Sequence, residues 1–141
     1  MNDLNTPIRR FFDVYEKANA DFDVQQLAGC YADVFMFAGP ARVQTVKKED
    51  FLKVLPRRKE FFKSAGLVSS TIATLDVSKL DSKYAMVKIV WRMRFERSAG
   101  KAIDSEISAT YILAEAAHGF EIIFQIDHQD LTEKVQQMRV G

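Results

Sequence analysis

The feature that most constrains this chain is an alternating run over residues 85–95, AMVKIVWRMRF. Apolar side chains occupy every odd position of the run, whereas the even positions mix apolar and basic residues. A period of two predicts a β-strand, because successive side chains of a strand point to opposite faces. The β-branched and aromatic residues favour a central strand with one face in a core, so we expect Trp91 to point inward.

Alternation of this kind extends along the whole second half of the chain. It predicts long strands over residues 67–80, 85–95, 105–115 and 120–128, each separated from the next by a short turn. Short turns make neighbouring strands antiparallel. Gly66 stands where the helical spacing changes to the alternating one, and we expect it to end the last helix.

The first half of the chain has helical spacing instead. Thr6 and Asp23 are candidate N-caps of the first two helices, and Thr45 is the candidate N-cap of a third. Pro56 predicts a kink or a restart within that third helix. A short buried strand over residues 34–38 lies between the second and third helices. This order predicts an α+β fold, with three N-terminal helices packed on a strongly curved antiparallel sheet of four long strands plus a short one.

Composition places the chain among single globular domains. A length of 141 residues predicts one domain over 1–141, and 48% hydrophobic residues with 11 Phe are enough to fill a core. No apolar run approaches the roughly 20 residues that span a bilayer, so we expect no membrane segment. The N-terminus lacks the apolar stretch of a signal peptide, and Cys30 is the single cysteine. We therefore expect a cytoplasmic protein without an intrachain disulfide.

Charge and motif content argue against several classes of partner. The net charge is +1, and each basic cluster has acidic residues close by, so we expect no nucleic-acid partner. Two His and one Cys at scattered positions do not form a metal-ligand set. The sequence also contains no Gly-rich phosphate loop and no Gly-x-Ser-x-Gly motif. We therefore expect neither a metal nor a cofactor.

Three stretches together carry a family resemblance: LAGCYAD over residues 27–33, VFMFAGP over 34–40 and GFEII over 119–123. In order and spacing they resemble the nuclear-transport-factor-2-like superfamily, in its branch of SnoaL-like polyketide cyclases and ketosteroid-isomerase-like proteins. The resemblance covers roughly residues 7–130. It implies a cystatin-like cone of curved sheet closed by helices, an apolar pocket and a homodimer formed through the sheet.

The same resemblance bears on the catalytic machinery. The isomerase branch places an Asp general base directly before a proline, but here Gly39 precedes Pro40. We therefore expect no appreciable steroid isomerisation. The branch also uses an oxyanion-stabilising Tyr on the first helix. Tyr15 lies in that helix, although an ungapped match puts Asp13 at the position, so Tyr15 is either such a donor or a core tyrosine.

Two further side chains are candidates for the site. The alternation over residues 120–128 assigns His128 to the apolar face with Phe124, where it is either a general base or a solvent-facing histidine at a strand end. Arg42 is an isolated cation near the expected pocket mouth. It is either a ligand for a carboxylate or an ordinary surface arginine.

We therefore expect a protein that binds a small hydrophobic molecule in an aromatic-lined pocket. An enzyme of the isomerase, cyclase or dehydratase type is compatible with this, and the reaction stays open. The alternative is a non-catalytic homodimerisation or adaptor module with a filled core. Weak catalytic candidates are His128 and Tyr15. The candidate ligand-binding residues are Tyr15, Tyr31, Phe37, Arg42, Phe62, Trp91, Met93, Tyr111, Phe124 and His128.

The even face of the strand over residues 85–95 predicts the assembly. It is too apolar for plain solvent and too charged for the core of a monomer, which is typical of a dimer interface. We expect a two-fold homodimer packed sheet to sheet. Its predicted dry centre consists of Met86, Val90, Ile112 and Ile123, with Arg92, Arg94 and Asp127 in polar contacts around it.

Overall fold

The computed structural model describes residues 5–96, 100–130 and 133, and within them three helices pack on one six-stranded sheet. The helices are α1 (Asn5–Asp21), α2 (Val24–Cys30) and α3 (Lys48–Ser64). The strands are β1 (Tyr31–Ala38), β2 (Val43–Lys47), β3 (Leu67–Lys79), β4 (Tyr84–Glu96), β5 (Ala102–Ala116) and β6 (Gly119–Asp127). None of the helices in the described part is long and apolar enough to cross a membrane.

The sheet has the strand order β2-β1-β6-β5-β4-β3. Strands β3 to β6 form the expected antiparallel meander, whereas β1 pairs in parallel with β6 and antiparallel with β2. The α+β prediction is confirmed, but the predicted strand count is one too low and the sheet is mixed. The missed strand is β2, whose β-branched residues pair with β1. Thr45 therefore lies in a strand, and α3 begins only at Lys48.

The helix boundaries agree with most of the predicted signals. Asp23 is the N-cap of α2, and its carboxylate accepts a hydrogen bond from the Gln26 backbone N–H at 3.2 Å. Thr6 lies inside α1 rather than at its cap. The helix α3 continues through Pro56 without a restart. Pro56 is exposed, and at an exposed position the lost helical hydrogen bond is readily replaced by water.

Gly66 makes the change from α3 to β3 possible. Its φ angle of 91° lies in the left-handed region, which residues with a Cβ rarely adopt. Its carbonyl accepts a hydrogen bond from the Glu96 N–H at 2.8 Å, so the two backbones lie in direct contact. The predicted end of the helix at Gly66 is confirmed, and the contact fixes α3 against the sheet.

The strand β4 forms the centre of the core, as the alternation predicts. Its odd residues from Ala85 to Phe95 are all buried, and Trp91 is 6% exposed. Those from Ala85 to Trp91 share a core cluster with the apolar stripe of α1, whereas Met93 and Phe95 pack with Phe62 of α3. The inward orientation predicted for Trp91 is confirmed.

A bulge in β6 changes which side chains face this core. Ile112 of β5 pairs with Phe124, but the next residue, Leu113, pairs with Ile122. Ile123 is therefore an extra residue that has no direct partner on β5. Because side chains alternate along a strand, one extra residue moves every later side chain to the opposite face.

The bulge overturns the predicted orientation of the end of β6. Gln125 pairs with the buried Tyr111, so Gln125 and Asp127 lie on the inner face. Phe124 lies on the outer face instead. Thr110 directly precedes the inward-facing Tyr111 on β5, so the Thr110 side chain points to the outer face. His128 also lies on that face, since its Nε2 is 2.7 Å from the Thr110 hydroxyl.

Candidate functional site

A cavity of about 90 Å³ lies between the helices and the inner face of the sheet. Its apolar walls include Phe62, Trp91, Met93 and Ile107. Its polar lining includes Tyr15, Tyr111, Gln125 and Asp127, which come from α1, β5 and β6. An apolar cavity with a few convergent polar groups is the usual form of a small-molecule site.

The buried aromatic residues of this lining, and Tyr31 behind it, are joined by hydrogen bonds and ring contacts. The indole Nε1 of Trp91 donates to the Tyr111 hydroxyl at 3.0 Å. The Tyr111 ring packs edge-on against the Tyr15 ring, with the two ring centroids 5.7 Å apart. The hydroxyls of Tyr15 and Tyr31 are 2.7 Å apart. All four side chains are at most 6% exposed, so these bonds satisfy groups that water cannot reach.

The hydrogen bonds continue from Tyr31 to a carboxylate. The hydroxyl of Tyr31 donates to Gln125 Oε1 at 2.6 Å, and Gln125 Nε2 donates to Asp127 Oδ1 at 3.0 Å. A tyrosine has one hydroxyl proton, and the Tyr31 proton is used by Gln125. The proton between the two tyrosines must therefore come from Tyr15. From Tyr15 through Tyr31 and Gln125, each hydrogen bond is therefore donated in the direction of Asp127.

Burial sets the titration of these groups. Desolvation raises the pKa of Asp127 above its ordinary value of 3.8, and the Gln125 amide and the Arg58 guanidinium partly offset that effect. Desolvation also raises the pKa values of Tyr15, Tyr31 and Tyr111, so these hydroxyls stay protonated at neutral pH. Asp127 is therefore the titratable group of the cavity whose pKa moves towards neutrality.

A larger cleft of about 460 Å³ adjoins the cavity. Phe37 and Arg42 line the cleft, and Arg58 and Asp127 line both the cleft and the cavity. The two spaces therefore meet at Arg58 and Asp127. Asp127 is accessible from the cleft on one side and faces the aromatic cavity on the other.

The predicted site residues fall into three groups. Tyr15, Phe62, Trp91, Met93 and Tyr111 line the cavity, whereas Phe37 and Arg42 line the cleft. Tyr31 lies behind the cavity in the hydrogen-bond chain. Phe124 and His128 lie on the other face of the sheet, so the expectation that they line the pocket is wrong.

Sequence reasoning missed three residues of the site. Alternation from Phe124 and His128 predicts the outer face for Gln125 and Asp127, because the bulge at Ile123 leaves no trace in the alternating pattern. Arg58 belongs to a basic cluster next to Glu60, which is typical of a solvated helix face, and its neighbours in the sequence do not indicate that it reaches a cavity. No group of three or more potential metal ligands occurs within residues 5–96, 100–130 and 133.

The fold and the cavity together define a class of protein. Three helices on a curved mixed sheet, closed around an aromatic interior, are the features of the cystatin-like NTF2 fold. The chain belongs to the family of NTF2-like proteins (DUF6841), whose model matches residues 3–130. No curated protein matches the sequence.

Solved structures with the same fold support the assignment. An NTF2-like protein with a cystatin-like fold from Novosphingobium aromaticivorans is 11% identical, with a TM-score of 0.73 and coverage of 98% of this chain and 97% of that one. A ketosteroid isomerase-like protein from Erwinia carotovora atroseptica is 16% identical, with a TM-score of 0.68 and coverage of 91% and 97%. A putative calcium/calmodulin-dependent protein kinase II association domain from Xanthomonas campestris is 17% identical, with a TM-score of 0.68 and coverage of 92% and 90%. At these identities the likeness concerns the fold alone.

Proposed function

We propose that this protein is an enzyme of the isomerase, cyclase or dehydratase type that binds a small, largely apolar molecule and uses Asp127 as its general base. The observation that carries the proposal is the position of Asp127. It is a partly buried carboxylate with a raised pKa, and it lines both an aromatic cavity and the cleft adjoining that cavity. Perturbed carboxylates in such places are typical of acid–base catalysts.

The hydrogen-bond chain supports a base that is held in one orientation. Gln125 fixes Oδ1 of Asp127, and Gln125 is itself held by the Tyr31 hydroxyl. No other hydrogen-bond partner of the Asp127 carboxylate is found in the described part of the chain, so Oδ2 is free to take a proton from a substrate. In this arrangement Tyr15 positions the base through Tyr31 and does not itself donate to the substrate.

The reaction that fits is proton abstraction from a carbon next to a carbonyl group. The carbonyl oxygen gains negative charge as the proton leaves, and the guanidinium of Arg58 lies at the same junction to stabilise that charge. A steroid does not fit a cavity of about 90 Å³. This size supports the expectation that the protein does not isomerise ketosteroids.

Solvent exchange tests the proposal without knowledge of the natural substrate. Levulinate and butanone are incubated with the protein in D₂O, and NMR follows exchange at the carbons next to the carbonyl group. We expect wild-type protein to accelerate exchange and Asp127→Asn to lose the acceleration, because the amide cannot accept the proton. Asp13→Asn, an exposed carboxylate on α1, is the matched control and should retain the activity.

Two results would contradict the proposal. One is that wild-type protein accelerates exchange with neither levulinate nor butanone. The other is an Asp127→Asn variant that exchanges as fast as wild type. The alternative of a non-catalytic adaptor with a filled core has no support in the fold, the cavity or the comparisons.

A homodimer formed through the outer face of the sheet is a second part of the proposal. A row of apolar side chains crosses four strands of that face, from Met86 through Ile112 and Phe124 to Met36. Ion pairs lie towards one end of the face, where Arg92 contacts Glu106 at 2.9 Å and Arg94 contacts Asp104 at 3.5 Å. An apolar centre with a polar rim supports the proposed interface.

The corrected register changes the composition expected of this interface. Asp127 is removed from it, since that side chain faces the cavity, and Phe124 is added. Val90→Glu should convert the dimer to a monomer, because it would bury a charge near its symmetry mate. Leu80→Glu, which changes an exposed apolar residue in the turn after β3, should leave the dimer intact. Light scattering measures the mass, and a monomeric wild type or a dimeric Val90→Glu would rule out the interface.

A further inference from the structure

We infer that the substrate is a small organic carboxylate whose anion is bound by Arg42 and Arg58 in the cleft while its uncharged end enters the cavity beside Asp127. The inference rests on the proposed function only for the role of the uncharged end. The anion site itself is argued from the two arginines and from the groups around them.

The first cation, Arg42, belongs to the tight turn between β1 and β2. The turn is closed by a hydrogen bond from the Gly39 N–H to the Arg42 carbonyl at 2.9 Å, so the position of the backbone is fixed. The Arg42 side chain lines the cleft and is exposed. It forms no ion pair with any residue in the described ranges, and its guanidinium is therefore available to a ligand.

The second cation, Arg58, lies on α3 and reaches the junction of cleft and cavity. Its guanidinium carbon is 5.2 Å from the centre of the Phe62 ring, and Phe62 is a buried wall of the cavity. Stacking of this kind holds the guanidinium plane while leaving its N–H groups free. No acidic side chain of the described chain forms an ion pair with Arg58, although Asp127 lies close enough to be influenced by its charge.

The two acidic side chains at the cleft, Asp127 and Asp130, have hydrogen-bond partners other than the two arginines. Asp130 accepts a hydrogen bond from the Glu133 backbone N–H at 3.0 Å, so one of its oxygens is already engaged. Asp127 is held by Gln125 at the inner end of the cleft. Neither acidic side chain forms an ion pair with Arg42 or Arg58 in the described ranges, so a bound carboxylate would displace no existing ion-pair partner of the two guanidinium groups.

The two volumes limit the size of the substrate. A dry cavity of about 150 Å³ accommodates benzene, so a cavity of about 90 Å³ takes a short alkyl group or part of an aromatic ring. The cleft of about 460 Å³ takes the remainder, including the anion. The planar arginine fork matches a carboxylate, which it binds through two parallel hydrogen bonds. A short-chain or arylalkyl acid fits these limits.

Tryptophan fluorescence can report binding directly, because Trp91 is the single tryptophan and lines the cavity. The probes are hydrocinnamate and its uncharged analogue hydrocinnamamide, titrated into the 141-residue protein at neutral pH. We expect hydrocinnamate to bind at least about tenfold more tightly than the amide, a difference of about 1.4 kcal/mol. Arg42→Gln and Arg58→Gln should each weaken binding of the acid about tenfold. Neither change should alter binding of the amide.

A matched control separates the proposed site from general surface charge. Arg57→Gln removes a neighbouring exposed arginine of α3 that lines neither space, and it should bind hydrocinnamate as wild type does. Circular dichroism verifies that each variant is folded. Equal affinity for acid and amide in wild type would overturn the inference. So would the absence of any fluorescence change with the acid, or a preference for the acid that survives in the Arg42→Gln/Arg58→Gln double variant.

The binding measurement with hydrocinnamate does not depend on catalysis by Asp127. Asp127→Asn should bind hydrocinnamate at least as tightly as wild type, since it removes a negative charge near the ligand. If arginine-dependent binding is found without ketone exchange, the anion site stands and the proposed reaction fails. If levulinate and butanone exchange equally fast and Arg42→Gln changes neither rate, the reaction stands and the anion site fails.

Discussion

Gln125 is a buried polar residue whose substitution should lower the stability of the fold markedly. It is 7% exposed, and its amide joins the Tyr31 hydroxyl to the Asp127 carboxylate. Gln125→Leu keeps most of the side-chain volume and removes both hydrogen bonds. It leaves the Tyr31 hydroxyl without its acceptor and one oxygen of Asp127 without its donor.

The expected loss of stability follows from those two bonds. A neutral hydrogen bond contributes about 1 kcal/mol, and a bond to a charged group contributes about 1.5–3 kcal/mol. We therefore expect Gln125→Leu to lower the free energy of unfolding by about 2–4 kcal/mol at neutral pH. The pKa of Asp127 should rise further, because its pKa is lowered by the Gln125 hydrogen bond.

A double-mutant cycle in urea unfolding measures whether the effect comes from this chain of hydrogen bonds. Tyr31→Phe removes the hydroxyl that Gln125→Leu leaves unpaired. The double variant should therefore lose less stability than the sum of the single losses, with a coupling of about 1 kcal/mol or more. Gln25→Leu on the exposed face of α2 is the control and should change stability little. Additivity of Gln125→Leu and Tyr31→Phe within about 0.5 kcal/mol would refute the reasoning.

Three further substitutions test the core, the titration and the backbone. Trp91→Ala should cost about 3–5 kcal/mol, and a wild-type melting temperature would contradict the burial of this side chain. Because the folded pKa of Asp127 lies above 3.8, its stabilising effect is present below that pH and is lost as pH rises through the folded pKa. The free energy of unfolding of Asp127→Asn minus that of wild type should therefore increase from acid to neutral pH in urea titrations, and a difference that decreases over this range would refute the burial argument. Gly66→Ala should cost about 1–3 kcal/mol because its Cβ meets the Glu96 carbonyl at a positive φ, whereas Gly29→Ala, with open space around it, should be neutral or stabilising in the same assay.

Much of the architecture could be predicted from local sequence patterns. The period of two in β4 identifies its buried face, and Trp91 lies on that face. Asp23 identifies the start of α2, and Gly66 identifies the end of α3. These signals are local, because side-chain alternation and capping depend on residues only a few positions apart. The strand β2 escaped prediction, since Val43–Lys47 is short and largely exposed and forms a strand only by pairing with β1.

The candidate site was only partly accessible from the sequence. The aromatic walls, such as Tyr15, Trp91 and Tyr111, could be predicted because they share helical or alternating stripes with other core residues. The cleft brings Arg42 of the β1–β2 turn together with Arg58 of α3. No local pattern indicates that pairing, because it depends on how the helix packs beside the sheet.

The end of β6 shows most clearly where prediction from the sequence stops. By itself, the sequence determines that residues 120–128 alternate and form a strand. Only the tertiary structure decides which face each side chain takes, because the bulge at Ile123 arises from the register between β5 and β6. One extra residue turns His128 away from the cavity and turns Asp127 into it, since side chains on a strand alternate with a period of exactly two residues.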